Sequence, residues 1–268
     1  MSLAGSLPVG VCTGWVGSYA ESVDFGAEFL AQNRAFGDTV LSVDPDTPVP
    51  TCPGWTAKQL FRHVGRGNRW AAQMVAEHAT EPADPASVPD GRPPADLDGS
   101  RAWLDDGARL LVDAVDAAVT QAHAEGADCS VWTFLGPRPA PWWIRRRLHE
   151  VLVHRADAAI AGGFTFDVRP ELAADCIDEW LELAVAVNSD FAGRVALLAT
   201  DEELGGRGDW TIGGGTWTRS SGVADVTLTG TVRDLLLVTT RRCTSAEAGV
   251  DVSGDEELLA TWLDGMKF

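Results

Sequence analysis

Near residue 195 the hydrophobic pattern of this 268-residue chain changes period, and that break constrains its fold more than any other feature. Upstream, apolar residues recur every three or four positions, the spacing of helices with one buried face. Downstream come short β-prone runs separated by glycines, the texture of strands and tight turns. A chain of this length accommodates two domains. The expectation is an all-α bundle over residues 1–192 and a small α+β domain over residues 193–268.

Five helices are expected in the first part. One covers Trp15 to Thr39. The next opens after "TCPGW", with Thr56 as N-cap, and runs to about Ala79. A Pro- and Asp-rich stretch, "EPADPASVPDGRPPADLDG", reads as a surface connector. A third helix spans Ser100 to Glu125, with Leu104, Leu111, Val115 and Val119 at helical spacing. The fourth starts at "APWW" with Pro141 in its first turn and stops at Gly162-Gly163. The fifth runs from Glu171 to about Phe191. Beyond it, "RVALLAT", "DWTIGGGTWTRS", "ADVTLTG" and "GVDVSG" read as strands, and "TVRDLLLVTTRR" and "DEELLATWL" as helices.

Bulk properties narrow the function. A net charge of −18 repels phosphate backbones and anionic lipid, which argues against nucleic-acid and membrane partners. Five cysteines at wide spacings, with no CxxC, form neither a disulfide framework nor a thiolate zinc site. No apolar run reaches the roughly 18 residues of a spanning helix, and no signal peptide is legible. The expected compartment is the cytoplasm.

The stretch "RRRLHEVLVHRADAA" carries the chemistry. Its HExxxH spacing is one residue longer than that of zinc proteases. Residues five apart on a helix differ by about 140°, so His149 and His154 face different ways. Glu150 and His154, four apart, share a face and can grip one cation together. A catalytic zinc site takes three protein ligands and keeps an open position. Of the other histidines, His78 and His123 sit in polar company near helix ends. His63, with Leu60, Gly67 and Trp70 at helical spacings, faces inward. His63, Glu150 and His154 are therefore the candidate metal ligands. The plainer alternatives are a core histidine and an ordinary Glu–His hydrogen bond.

"VPTCPGWTAKQLFRHVGRGNRWAAQMV", followed by "RRRLHEVLVHRADAA", resembles the mycothiol-dependent maleylpyruvate isomerase family of the wider DinB-like metalloprotein superfamily. "ADVTLTGTVRDLLLV" and "GVDVSGDEELLATWL" resemble that family's sterol-carrier-protein-like C-terminal domain. The resemblance covers about Trp15 to Leu263. It implies a DinB-like four-helix bundle holding one divalent metal, usually zinc, on His63, Glu150 and His154. It also implies mycothiol as the thiol cosubstrate. A bound cation deprotonates a coordinating thiol, and the thiolate is the nucleophile. In the isomerases it adds to a conjugated double bond, permits rotation and leaves; in relatives the thiol is transferred to an electrophile. The resemblance further assigns a catalytic arginine after the "DLLL" helix, here Arg242 or Arg241, whose fork would hold a substrate carboxylate. Helix-terminal cations offsetting the dipole are the alternative for both. Two departures, Asn68 where many relatives carry histidine and "VTTRR" at the end of the "DLLL" helix, bear on the substrate more than on the metal.

Other residues have plainer expected roles. Trp55, Trp70, Trp142 and Trp143 read as core, with one or two free to wall a pocket. At least one of Arg145, Arg146 and Arg147 is expected on a solvated face, the others pairing with acidic groups or an anionic ligand. Asp157 either orients a ligand imidazole or makes a surface ion pair. Cys52 reads as a small buried residue. The leading expectation is a thiol-dependent isomerase or S-transferase acting on a small electrophile, monomeric or homodimeric. A non-catalytic binding or stress-response module and a metal-dependent hydrolase are the alternatives.

Overall fold

A computed structural model describes residues 24–188 and 190–266. They divide into two compact units. One comprises the chain up to Pro48 with Trp55–Ala158; the other comprises Val49–Gly54 and the chain from Ala159 onward.

The first unit is built on helices α1 (Phe25–Val40), α2 (Ala57–Ala76), α3 (Leu97–Glu125) and α4 (Pro141–Gly162), with a minimal ribbon, β1 (Ser130–Val131) and β2 (Arg138–Pro139), before α4. Each start has a local cause. Asp24 caps α1 by accepting from the Ala27 N–H at 2.9 Å. At α2, Gln59 Oε1 reaches back to the Thr56 N–H at 2.8 Å. α3 begins three residues earlier than expected because Asp96, not Ser100, is its N-cap, accepting from Gly99 N–H at 2.7 Å. Ser100 instead donates to the Pro94 carbonyl. The expected segment Trp15 to Asp24 lies largely outside the described residues.

Helices α1, α2 and α3 pack on one another through stripes at helical spacing. Phe29, Phe36 and Val40 of α1, Leu60 and Val64 of α2, and Leu104, Leu111 and Val115 of α3 are buried. Val119 is only half-buried, its inward place being taken by Ala118. One end of the unit is filled by aromatic rings. Trp143 is 1 % exposed and lies edge-on to Trp70, Phe134 and Trp142, with centroids 5.1–5.4 Å apart. Its indole N–H donates to the Trp132 carbonyl at 3.0 Å. Trp142 and Trp143 are thus core residues, as expected, while Trp70 is half-buried at the edge of the cluster.

The second unit contains α5 (Pro170–Val187), β3 (Arg194–Ala199), β4 (Asp209–Gly213), β5 (Thr216–Thr218), β6 (Val226–Gly230), α6 (Val232–Thr239), α7 (Ser245–Ala248), β7 (Asp251–Gly254) and α8 (Glu256–Asp264). The sheet order is β5-β4-β3-β6-β7; β3 and β6 run parallel and every other pair antiparallel. Gly214 and Gly215, both at positive φ, form the two-residue turn that joins β4 to β5. Val195, Leu197, Trp210, Ile212, Val226 and Leu228 alternate onto the buried face. The four segments read as strands supply the five strands of the sheet, since "DWTIGGGTWTRS" holds both β4 and β5, and the two expected helices are found; the four-residue α7 and the β1–β2 ribbon carry too little pattern to be read beforehand.

The division at Ala158/Ala159 differs from the boundary at 192/193 expected from composition. Helix α5 has helical periodicity, but it packs against α6 of the sheet-containing unit. Its Asp178 accepts the Trp210 indole N–H at 2.7 Å and a two-pronged Arg219 guanidinium at 2.7–3.0 Å. Periodicity reports the element type, and packing partners decide the unit. No described helix is long and apolar enough to cross a membrane.

Candidate functional site

Helices α2 and α4 lie side by side in the first unit, and they bring His63, Glu150 and His154 together. The ligating atoms of the three side chains lie within 4.8 Å of one another. His63 Nε2 is 3.0 Å from Glu150 Oε1. The imidazoles of His63 and His154 stand edge to face, with centroids 5.1 Å apart. Exposure falls from 34 % at His63 to 17 % at Glu150 and 12 % at His154, so the cluster opens on the His63 side.

The surroundings orient each group. His154 Nδ1 donates to Asp157 Oδ2 at 2.7 Å, and Asp157 is fully buried. A carboxylate only accepts, so this bond puts the proton on Nδ1 and leaves Nε2 as the remaining ring donor. Asp157 is therefore the orienting partner, not a surface ion pair. Trp55, beside the start of α2, sets its ring 4.8 Å from that of His63 and 6.5 Å from that of His154, an apolar wall over the cluster.

The arginines correct one expectation. None of the three lies on a solvated face: Arg145 and Arg147 are buried, and the Arg146 side chain is 14 % exposed. Arg147 Nη1 lies 2.7 Å from Glu150 Oε1, and Arg146 Nη2 donates to Glu150 Oε2 at 3.2 Å. Burial alone would raise the Glu150 pKa. The Arg147 charge, the His63 hydrogen bond and the Arg146 charge overcome it and hold the carboxyl well below its usual range. Burial lowers the His154 pKa, against the opposing pull of Asp157 and Glu150.

Both shifts disfavour protonation in the folded protein. Their contribution to stability is complete above pH 6.5, the ordinary histidine value, and is lost as pH falls through the folded values. The Glu150 part is present above its ordinary value of 4.5 and is lost at pH values below it. Urea midpoints of metal-free protein are therefore expected to drop steadily on acidification. Glu150→Gln should flatten the drop below pH 4.5, and parallel curves for both proteins would contradict the assignment.

The donor set suits a divalent cation of zinc type. Two imidazoles and a carboxylate are borderline ligands that such an ion takes, and three protein ligands leave a position open. Ligands about 2.0–2.2 Å from a tetrahedral ion lie roughly 3.3–3.6 Å apart, close to the His63–Glu150 spacing observed. The carboxylate behind His154 is the usual outer partner of a ligating imidazole.

The remaining histidines behave as the helical wheel requires. His149 is buried away from the cluster, and His78 and His123 are exposed. Cys52 is half-exposed rather than buried, and Cys12 lies outside the described residues. Among the described residues, Cys52, Cys129, Cys176 and Cys243 form no disulfide.

In the second unit, Arg241 and Arg242 lie just past the end of α6, not in its last turn. The Arg241 N–H bonds to the Val238 carbonyl and the Arg242 N–H to the Leu237 carbonyl, the paired closure of a Schellman motif. Arg241 takes the left-handed conformation, φ 63°, that glycine usually fills there. Its Nη2 is 3.5 Å from Asp264 Oδ1, while Arg242 Nη1 donates to the Thr240 carbonyl at 2.7 Å. With Arg233, Phe164, Leu237 and Leu263 they line a groove of about 1320 Å³.

A polar chain behind Glu150 was not read from the sequence. Asn68 accepts from Arg147 Nε and donates to Asn33, both at 2.9 Å. The available signal was an asparagine inside each of two apolar stripes, between Phe29 and Phe36 on α1 and between Val64 and Ala71 on α2.

Comparison with known proteins agrees with this architecture. Two uncharacterized proteins, from two strains of Mycobacterium tuberculosis, are each 32 % identical over 149 residues, covering 53 % of this chain and 69 % of theirs. The crystal structure of a mycothiol-dependent maleylpyruvate isomerase matches at a TM-score of 0.52 and 18 % identity, over 86 % of this chain and 92 % of that one. A single-residue variant of a mycothiol-dependent maleylpyruvate isomerase matches at 0.51 and 17 %, with the same coverage. At that identity these two matches speak for the fold. The profile of the mycothiol maleylpyruvate isomerase N-terminal domain matches residues 27–159, the stretch that carries His63, Glu150 and His154, and the chain belongs to that family.

Proposed function

We propose that this protein is a metal-dependent enzyme that uses a low-molecular-weight thiol, mycothiol by its family, on a small electrophile. The reaction is cis–trans isomerisation or S-transfer. One observation carries the reading: His63, Glu150 and His154 converge from two helices with Asp157 bonded behind His154. The first unit is correspondingly read as a DinB-like four-helix bundle and the second as a sterol-carrier-protein-like domain.

A divalent cation, zinc by its donor set, would supply acidification of a coordinating thiol, so that thiolate is present at neutral pH. The chain's own groups do the rest. His63 and His154 would hold the cation through ring nitrogens, with the His154 proton kept on Nδ1 against Asp157. Glu150 stays ionised between two guanidiniums. Trp55, whose ring lies near both imidazoles, would shield one side of the cluster from water. The thiolate would add to a conjugated cis double bond to give an enolate, the new single bond would rotate, and collapse of the enolate would expel the thiolate and restore the double bond in trans geometry. An arginine fork at Arg242 or Arg241 would hold the substrate carboxylate through two parallel bonds.

Calorimetry with mycothiol tests this reading. Binding is expected to zinc-loaded protein and to vanish in metal-free protein. Thiol binding indifferent to zinc, or no binding to either form, would leave a binding module. A conjugation screen with chlorodinitrobenzene-type electrophiles and several thiols then separates S-transfer from isomerisation.

A further inference from the structure

We propose that Asn68, acting through Arg147, is a positioning residue that aims the Glu150 carboxylate at the donor cluster. The inference rests on the metal reading of that cluster and adds a determinant of its affinity.

The chain of contacts is continuous and buried. Arg147 is 3 % exposed, Asn68 0 % and Asn33 1 %. The Arg147 guanidinium is held on three sides: Nε donates to Asn68 Oδ1 at 2.9 Å, Nη2 donates to the Val64 carbonyl at 3.0 Å, and Nη1 contacts Glu150 Oε1 at 2.7 Å. Asn68 Nδ2 donates to Asn33 Oδ1 at 2.9 Å, and Asn33 Nδ2 points to the Leu104 carbonyl and Asp105 Oδ1, both at 3.4 Å. Arg147 Nη1 faces the carboxylate, and from Arg147 Nε onward every donor points away from it, from α4 through α2 and α1 to α3. Aligned bonds of this kind reinforce one another in a dry interior. They leave neither amide a reason to flip and the guanidinium plane one orientation.

That plane decides what Glu150 can do. Each carboxylate oxygen offers two lone pairs. Arg147 takes one on Oε1 and Arg146 one on Oε2. Oε1 turns its other side to His63. Glu150 is thereby presented as a single-oxygen donor facing His63, a mode suited to a small four-coordinate ion. Lysine at position 147 would keep the charge but lose the fork that ties Asn68, Val64 and Glu150 together.

Room for the fork comes from Gly67. A β-carbon there would stand 2.7–2.9 Å from the Arg147 guanidinium carbon and nitrogens. Gly67 has ordinary helical backbone, so alanine at that position favours the helix while pushing the guanidinium aside.

The test is zinc affinity of the full chain, measured by competition with a chromophoric chelator, alongside urea unfolding of the metal-free proteins. Asn68→Ala is expected to raise the zinc dissociation constant on the order of 10–100-fold, the range for loss of an outer partner. Arg147→Lys should do at least as much. Gly67→Ala should weaken zinc about 10-fold or more with its helix content intact, a result that a purely structural role would not give. Wild-type affinity in Asn68→Ala, or weakening there with wild-type affinity in Gly67→Ala, overturns the proposal. Wild-type protein that takes up no zinc overturns the ligand assignment itself.

Discussion

Replacing His154 with alanine is expected to abolish stoichiometric zinc in protein purified without added chelator, while the helices stay formed. His154 is the most enclosed of the three candidate ligands, and with Nδ1 bonded to Asp157 its Nε2 is the ring nitrogen left to bind a cation. Alanine removes that ring nitrogen and takes one hydrogen-bond partner from the buried Asp157 carboxylate. What remains is His63 with a Glu150 already engaged by two arginines. The loss should therefore exceed the roughly 10–100-fold that removal of an outer partner costs. Elemental analysis of both proteins, with far-ultraviolet circular dichroism as the fold control, decides the matter. Equal zinc in the two would remove His154 from the ligand set.

The largest effect on stability is expected at Trp143, away from the cluster. Trp143→Ala should cost about 3–5 kcal/mol, the range for deleting a buried aromatic side chain. The neighbours offer little prospect of relaxing into the space. Trp70, Phe134 and Trp142 all meet Trp143 edge-on, so each would lose a ring partner at once. The Trp132 carbonyl would lose its indole donor as well. Trp143→Phe keeps a ring and should cost clearly less. Urea unfolding followed by circular dichroism compares them, and a loss below about 1 kcal/mol for alanine would mean that the cluster repacks.

Much of this architecture was legible because two periods, 3.6 and 2, leave different marks. The strands after Arg194 and the helix carrying Glu150 and His154 were open to that reading. So was the exclusion of His149, since five residues of helix turn it away from the cluster. Periodicity was silent where a residue's partner, not its own position, decides its role. Three consecutive arginines look like a wet helix face, yet Arg147 is buried because Gly67 makes room and Asn68 receives it. Helix α5 has an ordinary amphipathic pattern, and its packing on α6 with the Asp178 contacts to Trp210 and Arg219 shows which unit it serves. The start of α3 lies at Leu97 because Asp96, not Ser100, caps it.

All three candidate ligands lie in the first unit, and this has a consequence for biosynthesis. The sheet is complete only with β7, whose last residue follows His154 by about 100 positions. At roughly 5–20 residues per second on the ribosome, that interval is about 5–20 s. Helical units fold far faster than that. A nascent chain can thus assemble the whole candidate donor set while the partner strands of β3 are still being translated.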